Sequence, residues 1–346
     1  MVLRGCTEAT GAKGATGAIA ALPWVVALLV AGPAAAAQSA DRYEFSEPHM
    51  GTAFRIVLYA ADRRTAEHAA ASAYSVVERL DSTFSDYHAD SEVSRLSSTE
   101  AGQVRSISPE LARLLTTASL WSKRTHGAFD VTVGPLTRLW RWSSRRGELP
   151  DEARLAEAKA RVGYESLEVD GAAHTIVFER AGMALDLGGI AKGYAADAAL
   201  AELRRLGFES AFVDAGGDLA LGVAPPGRKG WRVDVPGHTV LWLAETAVAT
   251  SGDQHRYVEI DGVRYSHILD PRTGHGMTTA STVTVVAPDA TTADVLATAL
   301  GLMDAEAGAT LVRSLDGASA AVTGETAWSL GDVPPSKAES LRRVNR

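Results

Sequence analysis

The sequence predicts an α+β fold of mixed β-sheets flanked by helices, a single domain with room for two lobes. Three observations predict it. Segments with apolar residues at helical spacing alternate with short β-branched runs. The runs "RYVEI" and "VRYSHI" alternate in polarity around Asp261-Gly262, a strong hairpin signal. The chain has 346 residues, 46% hydrophobic and 22% charged, which is a globular composition with enough apolar material for a core.

The first element is a leader. Arg4 and Lys13 precede a nearly uncharged run over 18–37, "AIAALPWVVALLVAGPAAAA", after which the chain turns polar. A basic start, an apolar middle and an A-x-A end make a secretory signal peptide over 1–37, with cleavage expected after Ala37. Export to the periplasm follows as the expectation, and an uncleaved leader would instead tether the protein to the inner membrane. Cys6, the one cysteine, lies in the leader, so the mature chain offers no thiol for catalysis, metal binding or disulfides. The net charge of -8 supplies no basic excess, which argues against a nucleic-acid partner.

The domain is expected over 41–333, followed by a polar tail over 334–346. "TAFRIVLYA" reads as a strand, and Ala66, Ala69, Ala70, Ala73, Val76, Val77 and Leu80 mark a helix over 64–80. "SDYHADSEVSRLSS" reads as a loop. A helix over 108–125 opens at Ser108-Pro109 and ends before Gly127. "WSSRRGELPDE" reads as a loop, and Asp151 to Val162 as a helix stopped by Gly163. "HTIVFE" and "MALDL" read as a strand pair, then a helix runs over about 190–206 to Gly207. After the hairpin, "TVTVVA" is a strand and 292–303 a helix.

Four stretches carry residues suited to chemistry, and each also has a plain structural reading. In "ALDLGGIAKGYAAD" a strand ending at Leu187 meets two glycines and a helix start, whose free N–H groups and dipole favour an anion. Lys192 would add a point charge for phosphate, or is simply solvated. The stretch is neither a Walker loop nor a G-x-G-x-x-G fingerprint. In "TTADVLATAL", Asp294 and Thr298 share a helix face, and their oxygens suit Mg2+. Equally, they are a dipole-favoured Asp and a core Thr.

"GAFDVTVGPLTRLW" places Gly127, Phe129 and Asp130 at a helix-to-strand junction, where they could hold a flat heterocycle or form an ordinary turn. Tyr87 in "DYH" offers a stacking ring, or is an ordinary turn residue. In "YSHILDPRTGHG", His267 ends a strand just before a turn built by Asp270-Pro271, and an imidazole with a pKa of about 6.5 can be a general base. The same stretch also reads as a polar hairpin end.

These stretches occur in a fixed order together with Met50-Gly51-Thr52, "LDSTFSDYHADSEVSRLS" and "AGGDLALG". That order resembles the FAD:protein FMN transferases, the ApbE-type flavin transferases, over about residues 43–305. The resemblance implies Mg2+-dependent cleavage of FAD, with FMN joined to a Thr or Ser hydroxyl of an acceptor flavoprotein and AMP released. It implies that Met50, Tyr87, Ala128, Phe129, Asp130, Asp186, Lys192 and Ile268 line the FAD site. Gly189, through its carbonyl, Asp294 and Thr298 would hold the metal. His267 would take the hydroxyl proton, with Asp270 shaping the site beside it. Alternatives within the same pocket are an FAD pyrophosphatase and a non-enzymatic FAD-binding protein. The acceptor, or an uncleaved leader, would bring the protein close to the membrane. Val131 departs from the usual Pro of the pattern, and Gly189 from its frequent Ala.

Overall fold

The computed structural model describes residues 40–235, 240–252, 257–324 and 327–331. The expected leader and polar tail lie outside them. β1 (Asp41–His49) pairs with β2 (Thr52–Ala60) through a two-residue turn in which Met50 and Gly51 have φ of 47° and 71°. Two positive φ values define a turn that matches strand twist, and Met50 adopts one although it is not glycine. β1 escaped the sequence reading because it is an exposed edge strand interrupted by Pro48.

α1 (Arg63–Phe84) is capped by Asp62, which accepts from the Thr65 N–H at 2.9 Å, and extends beyond the expected 64–80. The stretch 85–98, expected as loop, contains a one-turn helix, α2 (Glu92–Leu96), that buries only Val93 and Leu96 and so leaves no readable period. β3 (Arg105–Ser106) leads to α3 (Pro109–Arg124), which Ser108 caps as expected. The expected strand after Phe129 is instead α4 (Gly134–Arg146). The run "VTV" looks β-branched, yet Pro135 starts a helix whose buried face is Leu136, Trp140 and Ser143. α4 also takes in the "WSSRR" expected as loop, and left-handed Gly147 stops it.

α5 (Glu152–Ala160) and a 3-10 turn at Tyr164–Ser166 precede β4 (Leu167–Asp170) and β5 (Thr175–Phe178), which pair with each other. "MALDL" is therefore not the partner of "HTIVFE". Its Ala184 makes an isolated parallel bridge to Val133, and the segment otherwise runs as an extended connection. α6 (Ala191–Arg205) follows.

Next come β6 (Ala211–Ala215), β7 (Leu219–Leu221), β8 (Trp231–Asp234), β9 (Val240–Leu243) and β10 (Thr246–Gly252). β11 (Tyr257–Ile260) and β12 (Val263–Ser266) form the expected hairpin, with Asp261 and Gly262 both left-handed. β13 (Thr282–Ala287), α7 (Ala290–Ala299), α8 (Ala305–Arg313), β14 (Ser319–Thr323) and β15 (Trp328–Leu330) complete the described chain. α7 begins earlier than the expected 292–303, because Asp289 caps it, and it ends at Ala299.

The main sheet has the order β1-β2-β6-β7-β10-β13-β14-β15, with antiparallel neighbours throughout. α1, α6 and α7 pack on one face. The β8–β9 hairpin contributes Trp231 and Val233 to a second cluster with Val57, Leu221, Val248 and Val286. β13 lies between these layers, and all six of its residues are buried.

α6 and α7 meet almost backbone to backbone. A Cβ at Gly193 would collide with the Ala290 carbonyl and lie 2.9 Å from Asp294 Cβ. One turn on, Asp197 accepts from the Ala290 and Thr291 N–H groups at 2.8 Å each and from Thr291 Oγ1 at 2.6 Å. With Asp289 accepting from the Thr292 N–H at 2.7 Å, the first-turn donors of α7 are satisfied.

Burial pushes the Asp197 carboxyl up to about 6 from 3.8, although these bonds favour its charge. The folded chain thus binds a proton that the unfolded chain has released. Stability from this group is full below about pH 4 and lost as the pH rises through about 6. Asp197→Asn removes the titration. The advantage of wild type over this variant should therefore grow between pH 7 and 4, by at most about 3 kcal/mol. Urea denaturation across that range checks it, and a pH-independent difference would refute the assignment.

Candidate active site

The turn between "MALDL" and α6 is anchored by its apolar residues. Leu187 and Ile190 are buried, and Asp186 Oδ1 accepts from the Gly188 N–H at 2.9 Å. That leaves Gly189 facing α7 and the loop after α3. A Cβ there would sit 3.0 Å from Thr298 Oγ1 and 3.3 Å from the Phe129 ring. Phe129 is itself buried, with its N–H held by Thr125 Oγ1 at 3.1 Å, and Ala128 beside it is buried. Three segments far apart in sequence converge at this glycine.

The charges gather one turn along. Gly193 N–H donates to Asp294 Oδ2 at 3.1 Å, and Lys192 Nζ lies 3.6 Å from Asp294 Oδ1. Lys192 also pairs directly with Asp218. Asp218, in "AGGDLALG", is not among the site residues that the sequence indicates. The signal available was the double glycine: Gly216 and Gly217 have φ of 69° and 107°, and this turn aims Asp218 back at α6. Asp218 and Asp294 are both buried. Burial first, then the charge of Asp294, raises the Asp218 carboxyl, against the pull of Lys192. Burial works to lower Lys192, but Asp294 and Asp218 outweigh it and hold the ammonium above its usual range.

Two carboxylates around one ammonium leave a local charge near minus one when all are ionised. Among the described residues no group of three His, Cys, Asp or Glu side chains gathers as a metal site. Asp294 and Thr298 lie one turn apart on α7, with Thr298 beside Gly189, and a carboxylate and a hydroxyl are donors of the kind that Mg2+ takes.

The remaining predicted residues divide between two flanks. On one, Met50 N–H donates to Asp81 Oδ2 at 2.8 Å, which fixes the β1–β2 turn against α1. Tyr87 is 76% exposed. Arg141 stands beneath it, its Cζ 4.1 Å from the ring centroid, and bridges Asp86 at 2.5 Å and Asp186 at 3.5 Å. Asp130 is buried with both oxygens engaged by the protein. It accepts from Thr132 N–H at 2.8 Å, Thr132 Oγ1 at 2.7 Å and Tyr164 N–H at 2.9 Å, so it shapes the Phe129 loop.

On the other flank, β12 ends at Ser266 and His267 follows, exposed. Ile268 N–H donates to Ser266 Oγ at 3.0 Å, and its carbonyl accepts from Met277 N–H at 3.2 Å. Asp270 takes a two-pronged Arg272 guanidinium, with both contacts at 2.9 Å, and its backbone closes the turn onto Gly274 and His275. Asp270 therefore holds the loop. Trp140 Nε1 donates to the Gly274 carbonyl at 2.8 Å, and Arg272 Nη2 to the Leu302 carbonyl at 2.5 Å. The His267 loop is thus tied to α4 and to the segment just after α7.

A glycine turn at a helix start and a half-buried lysine between two buried carboxylates mark the α6–α7 contact of this α+β protein as the candidate site. The family model described as ApbE family matches residues 50–323, and the chain belongs to that family. It is 32% identical to an FAD:protein FMN transferase of Treponema pallidum over 80% of this chain and 83% of that protein. It is 32% identical to one of Vibrio cholerae over 82% of this chain and 89% of that protein. The Pseudomonas stutzeri flavinyl transferase ApbE, in its apo form, superposes with a TM-score of 0.75 at 30% identity, covering 88% of this chain and 97% of that one.

The α6–α7 contact generates a test. Gly193→Ala places a methyl against backbone that has no rotamer by which to yield. Thermal unfolding should show a loss of about 1–3 kcal/mol. An unchanged midpoint would mean that the helices are not in contact at this position.

Proposed function

We propose that this chain is an FAD:protein FMN transferase that uses Mg2+, releases AMP and joins FMN to a Thr or Ser hydroxyl of an acceptor flavoprotein. The observation that carries the reading is the convergence of Gly189, Lys192, Asp294 and Thr298 at the α6–α7 contact, with Asp218 added. The transferase names of the relatives support it.

Gly189, Asp294 and Thr298 would hold the cation beside the pyrophosphate. When bound, Mg2+ supplies charge neutralisation for the phosphate oxygens. Lys192 adds a positive charge at the start of α6, whose dipole favours the same anion. Tyr87 offers an exposed aromatic face for a flat ring, the buried Phe129 backs Gly189, and Met50 and Ile268 add apolar contact. Asp86, Asp186 and Arg141 keep the Tyr87 loop in place.

His267 stands on a rigid loop at an exposed position, where a protein hydroxyl can reach it. It takes the hydroxyl proton as the new O–P bond forms to the FMN phosphorus. The pyrophosphate P–O bond breaks, and AMP leaves with the electron pair. The same exposure admits water, which would give free FMN and AMP. We also propose export to the periplasm by the leader over 1–37, where covalent attachment keeps flavin on its carrier.

Incubation with FAD, Mg2+ and a candidate acceptor flavoprotein tests this through AMP release and acceptor mass. Equal amounts of AMP and FMN-bearing acceptor are expected. AMP without acceptor mass would replace transfer by hydrolysis, and bound FAD with neither product would make this a binding protein. Asp294→Ala should lose about a hundredfold or more of Mg2+-dependent turnover. Full activity of wild type in EDTA would remove the metal from the mechanism. His267→Ala should keep FAD binding while transfer falls by about 10²–10⁴; unchanged transfer would take the base role from His267.

A further inference from the structure

We infer that Arg141 is a positioning residue that sets the Tyr87 ring for stacking on a flat ring of the bound dinucleotide, an inference that rests on the functional reading above. Arg141 projects from α4 with its side chain 29% exposed, and its planar guanidinium makes three contacts at once. It pairs with Asp86 at 2.5 Å and Asp186 at 3.5 Å, and it lies under the Tyr87 ring at 4.1 Å. Asp86 and Asp186 are 10% and 13% exposed, so removal of the cation would leave two shielded like charges facing each other. Burial and Asp186 already push the Asp86 carboxyl above its usual range.

On its own side the Tyr87 loop is held by local turns, with Ser91 Oγ donating to the Ser85 carbonyl and Ser91 N–H to the His88 carbonyl at 3.0 Å. The Tyr87 and His88 N–H groups both donate to Ser85 Oγ at 3.3 Å, which is a local turn. Arg141 links this loop to the Asp186 turn that leads into α6. The ring it supports is 76% exposed, so a planar ligand can lie against it while the guanidinium backs it. The neighbouring Trp140 holds the Gly274 carbonyl of the His267 loop at 2.8 Å. Consecutive residues of α4 therefore hold the nucleotide flank and the proton-transfer flank. A lysine would keep a charge near Asp86 but could not present a planar fork to two carboxylates and a ring.

The test compares wild type, Arg141→Ala, Arg141→Lys, Tyr87→Ala and the Arg141→Ala/Tyr87→Ala double variant. The readouts are KM for FAD, kcat, quenching of flavin fluorescence on binding, and thermal midpoint. Arg141→Ala should raise KM by about tenfold with kcat within about threefold, and should weaken the quench. Arg141→Lys should recover part of the KM but not the quench, and it stands in for the alanine variant if that one fails to fold. The double variant should be no worse than Tyr87→Ala alone, since both changes remove one stack. Additive effects, or a wild-type quench in Arg141→Ala or Arg141→Lys, would overturn the inference. Failure of wild type to bind FAD would overturn the functional reading itself, and would be seen before any variant is compared.

Discussion

The close approach of α6 and α7 at Gly193 is the constraint on which the rest of the structure depends. Without a side chain at that position, the α6 amide reaches the Asp294 carboxylate, and Lys192 falls within reach of the same group. The same approach lets Asp197 satisfy the first amides of α7. It also sets Thr298 against Gly189, one end of the contact serving stability and the other the site. Small residues along the buried faces of α1 and α6, among them Ala66, Ala69, Ala73, Ala195 and Ala199, let these helices lie close to the sheet.

That arrangement concentrates charge where the core would otherwise be apolar. Asp218 and Asp294 are buried around Lys192, and a buried charge is tolerated only when paired and hydrogen-bonded. Asp218 is as close to Lys192 as any residue that the motif pattern indicated. Its raised carboxyl records a cost of burying two acids together. Lys192 offsets part of that cost by pairing with both carboxylates.

Legibility followed the range of the determining interactions. Ser108 ahead of Pro109, Asp261-Gly262 between alternating runs, and the alanine period of α1 act over a few residues, and the structure bears out each element. α4 was misread because Val131, Thr132 and Val133 suggest a strand, whereas the loop is set by Asp130 binding Tyr164 across 34 residues. α2 and β1 were missed because a single turn and an exposed edge carry too little period to see. Asp270 is expected to shape the loop beside His267, and its pairing with Arg272, which depends on the turn's backbone, is a detail that the sequence does not show.

By itself the sequence determined the α+β class, the hairpin carrying His267, the glycine turn before α6 and the Asp294–Thr298 helix face. Each depends on local backbone preference or on a spacing of four residues or fewer. Only the tertiary structure decided which of the charged and small residues meet. It brought Asp218 to Lys192 across 26 residues, Gly193 to Asp294 across 101, and Arg141 to Asp86 and Asp186 across 55 and 45. Such pairings follow from sheet order and helix approach, which depend on the packing of the whole core.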